Sequence, residues 1–222
     1  MTMEKDAGFA APRVAWPDDP AGRLAVANQA GQLIRHGGLV VYPTDTVYGI
    51  GTDPMNPLSV QRLFEAKARP AEKAIVWLID RLDRAADICE LTESTQRLAA
   101  AFWPGALTLV LPRLRPESTD LPTQALRVPN HPAALAIIAA AGGAAATTSA
   151  NRSGSPSARN AEEATDALGQ HVDLIVDAGQ SSGGVDSTIL DLTTEPFTIL
   201  RGGPITAADI ERVLGSTVEH AT

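Results

Sequence analysis

The chain has 222 residues, 44% hydrophobic and 20% charged, which suits one large α/β domain with an ordinary core rather than a disordered chain. A net charge of −8 argues against coating nucleic acid through bulk charge, and 4% aromatics disfavour a stacking platform for single strands. One cysteine, Cys89, excludes an internal disulfide framework and a cysteine-cluster zinc site, and His36, His131, His171 and His220 show no metal-ligand spacing.

Residues 1–20, with Pro12, Pro17 and Pro20 among four acids, read as a loose arm without the basic-then-apolar order of a secretory signal. Residues 21–216 read as one domain of alternating helices and strands. Leu24, Ala27, Ala30, Leu33 and Ile34 share a helical face in 22–36, which Gly37-Gly38 ends. Leu39–Tyr42 is a short strand stopped by Pro43. Asn56-Pro57 opens a helix that Pro70 closes, and Ile75–Ile79 is a buried strand. A helix over 92–102, a strand over 107–111, a loop over 112–124 and a strand over 126–128 follow. Pro132–Ala146, too short and too broken by Gly142-Gly143 to span a bilayer, is a buried helix and then a strand. Residues 152–159 form a polar loop, and Asn160 with Glu163 caps a short helix. Strands at 172–176, 188–192 and 197–200 precede a last helix over 206–214. A cytoplasmic protein without membrane contact is expected.

Ligands of α/β sheets sit where strands end in polar, glycine-flanked turns. Four such ends occur. Tyr42–Gly49 carries Thr44, Asp45 and Thr46, two hydroxyls and a carboxylate that suit a small polar ligand or merely cap a turn. Lys67 and Arg69, with Lys73 behind them, either favour a helix dipole or clamp phosphate. Thr147–Asn151 is followed by Gly154 and Ser157, and Ser187-Thr188 by Leu200–Gly203 with Arg201. Between Pro104 and Asn160 five arginines face two acids, a local positive excess in an acidic chain, which points to a cavity for a small polyanion such as a nucleotide. No complete P-loop or dinucleotide fingerprint is present, so the residues alone lead to an anion-binding α/β domain.

Tyr42–Gly51, Lys67–Pro70, Phe102–Gly105, Arg127–Pro129, Ser149–Gly154, Ser187–Ile189 and Leu200–Gly203 together resemble, in order, the motifs of YrdC-like threonylcarbamoyl-AMP synthases over about 22–214. The resemblance implies an α/β fold with a single YrdC-like domain: a twisted mixed sheet flanked by helices around a positively charged cavity, in the short form without the family's extra C-terminal domain. It implies that L-threonine, bicarbonate or CO2, and ATP give threonylcarbamoyl-AMP and pyrophosphate, which a transferase partner uses to modify an adenosine of tRNA. Mg2+ would accompany ATP, with no organic cofactor and no protein side chain identified as a metal ligand. By position, Thr46, Arg127, Thr147 and Ser187 would hold threonine. Lys67, Arg69, Lys73, Thr123, Ser149, Asn151, Ser157 and Arg201 would line the ATP site, with Lys67 and Arg69 catalytic. Two departures stand out: Ala74-Ile75 replaces the family's Pro-Leu, and Leu78 aligns with a frequent histidine. The alternatives are a carbamoyl-adenylating relative, disfavoured by the lack of zinc-finger cysteines, and a non-catalytic RNA-binding module, disfavoured by the charge of −8.

Overall fold

A computed structural model describes residues 11–68, 75–115 and 121–221. In chain order the described strands are β1 (Arg13–Ala15), β2 (Val40–Tyr42), β3 (Gly49–Thr52), β4 (Val76–Ile79), β5 (Leu107–Pro112), β6 (Thr123–Arg127), β7 (Ala144–Ser149), β8 (Leu174–Asp177), β9 (Thr188–Asp191), β10 (Thr198–Arg201) and β11 (Glu219–His220). The helices are α1 (Pro20–Arg35), α2 (Pro57–Ala66), α3 (Leu82–Ala86), α4 (Glu93–Phe102), α5 (Pro132–Ala140), α6 (Ala161–Leu168) and α7 (Ala207–Leu214). The strands join in one mixed sheet of order β1-β8-β2-β3-β7-β4-β6-β5-β9-β10-β11.

Helix starts follow capping chemistry. The Asn56 side chain accepts from Leu58 and Ser59 N–H with Pro57 at the first helical position, and Asn160 accepts from Glu163 N–H. Thr206 and Asp209 form a reciprocal capping box, and α7 ends on Gly215 at φ 76°.

The expected loose arm is corrected over its described part. Arg13–Ala15 pair in parallel with Ile175–Asp177, Arg13 meets Asp177 at 2.6 Å, and α1 begins at Pro20 under an Asp19 cap. A partner strand more than 160 residues away leaves no local trace in sequence. β3, α3 and β11 are also unanticipated, and β6 begins at Thr123 inside the expected loop. β3 reads Gly-Ile-Gly-Thr, with too few side chains to show alternation. Its glycines have a packing reason: a Cβ at Gly51 would lie 2.7 Å from Tyr42 Oη, and one at Gly49 would lie 2.9 Å from Thr147 Cγ2.

Strand alternation divides the core. On one face, Val26, Ala30 and Ile34 of α1 and Ala134, Ile137 and Ile138 of α5 pack with Val40, Tyr42, Leu78, Ala145 and Leu174. On the other, α2 and α6 pack with Val41, Ile50 and Ile175, while Leu98 and Ile210 of α4 and α7 join Ile79, Leu109, Leu126 and Leu190. On the first face α1 packs against β2, β3 and β8, and α5 against β4 and β7. The sheet runs on past this cover through β6, β5, β9 and β10, and these strands together with β3, β7 and β4 line the candidate site.

Candidate functional site

The cavity holds about 670 Å³ with its mouth included and draws lining residues from seven strands. Pairing register explains the convergence. Leu78 of β4 stands opposite Arg127 of β6, Val76 opposite Thr147 of β7, Thr147 opposite Gly51, Ser149 opposite Gly49, and Thr108 of β5 opposite Ile189 of β9. Gly49 and Gly51 leave room beside the two β7 hydroxyls.

Arg127 is the buried cation of the lining. Its Nε donates to Gly105 O at 2.8 Å, Nη1 to Thr46 Oγ1 at 2.9 Å and Nη2 to Asp45 Oδ1 at 2.5 Å. Burial lowers the Arg127 pKa, with Asp45 opposing the shift; an arginine stays protonated through such a change. The Thr44 hydroxyl donates to Val47 O at 2.6 Å and accepts from Thr46 and Val47 N–H, so the segment is a hydroxyl-stabilised turn and also a cavity wall. Thr147 Oγ1 is 2.7 Å from Tyr42 Oη, whose ionisation burial pushes far up, so the phenol is neutral.

Arg201, on β10, is its more open counterpart. Its Nε and Nη2 donate to Ser187 O at 3.0 and 2.8 Å, and Nη2 also reaches Ser187 Oγ at 3.1 Å. Ser187 Oγ lies 2.8 Å from Thr108 Oγ1. Asp186 lies 3.8 Å from Arg201 Nη1, and its two carboxylate oxygens accept from Ser157 Oγ at 3.3 Å. A Cβ at Gly203 would sit 2.4 Å from Thr188 N, so the loop carrying Arg201 presses on β9 only because residue 203 is glycine.

Six expected residues therefore line one cavity: Thr46, Arg127, Thr147, Ser149, Ser187 and Arg201. Leu78 lines it too, so the departure at 78 puts an apolar side chain in the wall. Lys67 at the end of α2 is 1% accessible, and Nζ donates to the carbonyls of Ser149 and Asn151 and, at 3.2 Å, to Asn151 Oδ1. A buried ammonium needs such oxygens, and the turn after β7 supplies them. Asn151 is likewise spent on the turn: Oδ1 accepts from Ser149 Oγ at 2.6 Å, and Nδ2 donates to the carbonyls of Arg152 and Ser155. Asn151 and Ser157 line a neighbouring depression, not the main cavity. Thr123 does not join the lining either; it opens β6 opposite Pro112. Arg69, Lys73 and Ala74 lie outside the described residues.

The local positive excess does not map to the cavity. Of its five arginines Arg127 alone lines it, and Arg113 lies 5.0 Å over the Trp77 ring. Among the described residues the lining carries two arginines and Asp186. Sequence reasoning also missed Asp186, Thr108, Val76 and Ile189 as lining residues. Asp186 stands immediately before the singled-out Ser187, which was the available signal. Val76 and Ile189 are ordinary strand residues whose exposure to a cavity depends on where helix cover stops.

A family model covering Sua5, YciO and YrdC, described as "Telomere recombination", matches residues 32–203. The chain is 38% identical over 196 residues to threonylcarbamoyl-AMP synthase of Pyrococcus abyssi, covering 86% of this chain and 58% of that protein. It is 40% identical over 193 residues to threonylcarbamoyl-AMP synthase of Bacillus subtilis, covering 84% of this chain and 56% of that protein. The chain thus spans a little over half the length of these curated relatives. The solved structure of P. abyssi Sua5 complexed with L-threonine superposes with a TM-score of 0.85 at 35% identity, covering 96% of this chain and 63% of that one. The ordered motifs, the sheet and the match over most of its length agree that the chain belongs to the Sua5/YciO/YrdC family.

Proposed function

We propose that this chain is an L-threonylcarbamoyladenylate synthase, joining L-threonine, bicarbonate or CO2, and ATP into threonylcarbamoyl-AMP with release of pyrophosphate. The observation that carries the reading is one cavity lined by a buried, oriented arginine and a more open one, together with the hydroxyl-bearing Thr147, Ser149 and Ser187. Two relatives bear the synthase name, and P. abyssi Sua5 was solved with L-threonine.

On this reading Arg127 and Thr46 take the amino-acid carboxylate, since a planar guanidinium matches two carboxylate oxygens. Thr147 and Ser187 meet the rest of the amino acid, and the apolar Val76 and Leu78 face its methyl group. The amine adds to CO2 and loses a proton to give a carbamate. A carbamate oxygen then attacks the α-phosphorus of ATP, the bond to the pyrophosphate oxygen breaks, and pyrophosphate leaves. Each bond change lies between substrates, so no protein nucleophile takes part. The protein aligns the reactants and offsets phosphate charge through Arg201 and through the Ser149 hydroxyl once its proton turns from Asn151 Oδ1 to a phosphate oxygen, with Arg69 and Lys73 assigned by resemblance. Lys67 contributes by holding the turn that presents Ser149. The Mg2+ carried by the nucleotide would offset further phosphate charge; Asp186, the carboxylate of the described lining, fits a contact to its waters. Transfer onto an adenosine of tRNA by a separate enzyme, in the cytoplasm, completes the proposal.

Mass spectrometry of the product formed from ATP, L-threonine and bicarbonate tests this directly. Threonylcarbamoyl-AMP with pyrophosphate that depends on both threonine and bicarbonate is expected. Pyrophosphate release that ignores threonine, or that needs carbamoyl phosphate, would sink it.

A further inference from the structure

We propose that Asp45 is a positioning residue that holds the Arg127 guanidinium as an oriented receptor for the substrate carboxylate, an inference that rests on the amino-acid-binding reading above. Asp45 Oδ1 accepts from Arg127 Nη2 at 2.5 Å and from the Asn130 N–H at 3.0 Å. The Arg127 side chain is buried at 6% exposure and its partner Asp45 is little exposed at 13%. Arg127 lines the cavity and Asp45 does not, so the carboxylate acts from behind the wall.

Asp45 is itself gripped from a third direction. Residues 178–187 connect β8, second in the sheet, to β9, ninth, and pass beside the Asp45 turn. The Ser182 hydroxyl donates to Asp45 O at 3.3 Å, and the Gly184 N–H donates to Thr46 O at 2.7 Å. A Cβ at Gly183 would lie 2.6 Å from Asp45 O. The crossover can therefore lie flat on this turn only with glycine at 183.

The consequence for Arg127 is geometric. Gly105 O, Thr46 Oγ1 and Asp45 Oδ1 occupy three of its five N–H donors, which leaves two for a ligand. Two-point recognition of a carboxylate needs the fork presented in one plane, and an anchored guanidinium gives up little freedom when the ligand arrives. Asp45 also compensates a charge that burial would otherwise penalise. Asp45 and the incoming carboxylate are the same chemical group on different sides of one guanidinium. The opposite possibility, a resident carboxylate that competes with the ligand, predicts the reverse sign in the test.

Asp45→Asn keeps an oxygen for both donors; Asp45→Ala keeps neither. Calorimetric titration of the full chain with L-threonine, with L-threonine amide, which lacks the carboxylate, and with ATP is run beside thermal melts. Asp45→Ala should weaken L-threonine binding roughly tenfold or more, the scale of a hydrogen bond to a charged group, and shrink the preference for threonine over its amide by about as much. ATP binding should stay unchanged, and Asp45→Asn should fall between the alanine variant and wild type. If the alanine variant does not fold, a reduced threonine-over-amide preference in a well-folded Asp45→Asn supports the proposal. A preference that is unchanged or larger in Asp45→Asn overturns it, as does a lowered melting temperature without any change in preference. Wild-type protein that binds no L-threonine overturns the amino-acid reading and this inference with it; wild-type binding with indifferent variants overturns the inference alone.

Discussion

The two arginines of the cavity are held in opposite ways. The Arg127 side chain is 6% exposed and pinned by a carboxylate, a hydroxyl and a carbonyl from three segments. The Arg201 side chain is 42% exposed, leans on Ser187 and stands 3.8 Å from a half-open Asp186. Arg127 is fixed in advance; Arg201 can still adjust. A small amino acid rewards a fixed receptor, whereas a triphosphate that must change shape during reaction is better met by a cation with freedom left.

The sharpest attempt to break that contrast is Arg127→Met. It strands Asp45 in a buried site, and losing one partner of a buried pair costs ~3–5 kcal/mol. Urea unfolding should show this, with threonine binding abolished; wild-type stability would mean that Arg127 is not pinned. Lys67→Met comes next. The Ser149 and Asn151 oxygens lose their donor, at about 3 kcal/mol for several unsatisfied acceptors, with ATP affinity falling through the disordered turn. A melting temperature within a degree of wild type would show that Lys67 does not brace the turn. Arg201→Met should do the converse. The fold stays within ~1 kcal/mol, as for exposed ion pairs, while ATP binding weakens roughly tenfold and threonine binding holds. Ser149→Ala separates a ligand role from a turn role: one lost hydrogen bond should weaken ATP by ~1–1.5 kcal/mol. Should only the melt move, Ser149 belongs wholly to the Asn151 turn.

The smallest effect lies away from the cavity. Burial pushes the Asp177 carboxyl up, but the Gly179 N–H and Arg13 outweigh it and hold its pKa below the ordinary carboxylate value. The unfolded chain therefore binds a proton more readily, and stability from this group is present above the ordinary value and lost as pH falls through the native one. Asp177→Asn should cost under about 1 kcal/mol at neutral pH, and its melts should converge with wild type in acid. A constant gap down to low pH would show that the Arg13–Asp177 pair does not tether β1.

Local signals made most of the fold legible. Asn56-Pro57, Asn160 with Glu163, and Gly215 mark helix ends because caps are short-range chemistry. β1 and β3 escaped because their reasons lie elsewhere in the chain: a parallel partner at 175–177, and a tyrosine and a threonine that need bare backbone opposite them. The site shows the same divide. The ordered motifs brought Thr46, Arg127, Thr147, Ser149, Ser187 and Arg201 to one cavity. They could not say which cations are buried. Lys67 reads in sequence as a dipole-favouring cation or a phosphate clamp at the end of α2, and only the approach of the β7 turn buries it as an internal brace. Asp45 was in view from the start as a carboxylate among hydroxyls, but its partner lies 82 residues on.

The cavity takes residues from Thr44 to Arg201 through seven strands, so no short fragment of the chain contains it. A ligand touching both arginines can be held only by molecules in which those strands have assembled. Its binding energy therefore opposes whole-molecule opening, adding ~2.7 kcal/mol at a hundredfold excess over the dissociation constant. Saturating ligand should then slow amide exchange in core strands it never contacts, such as β8, as much as in the strands that touch it. Occupancy of this cavity is in effect an assay for the finished fold.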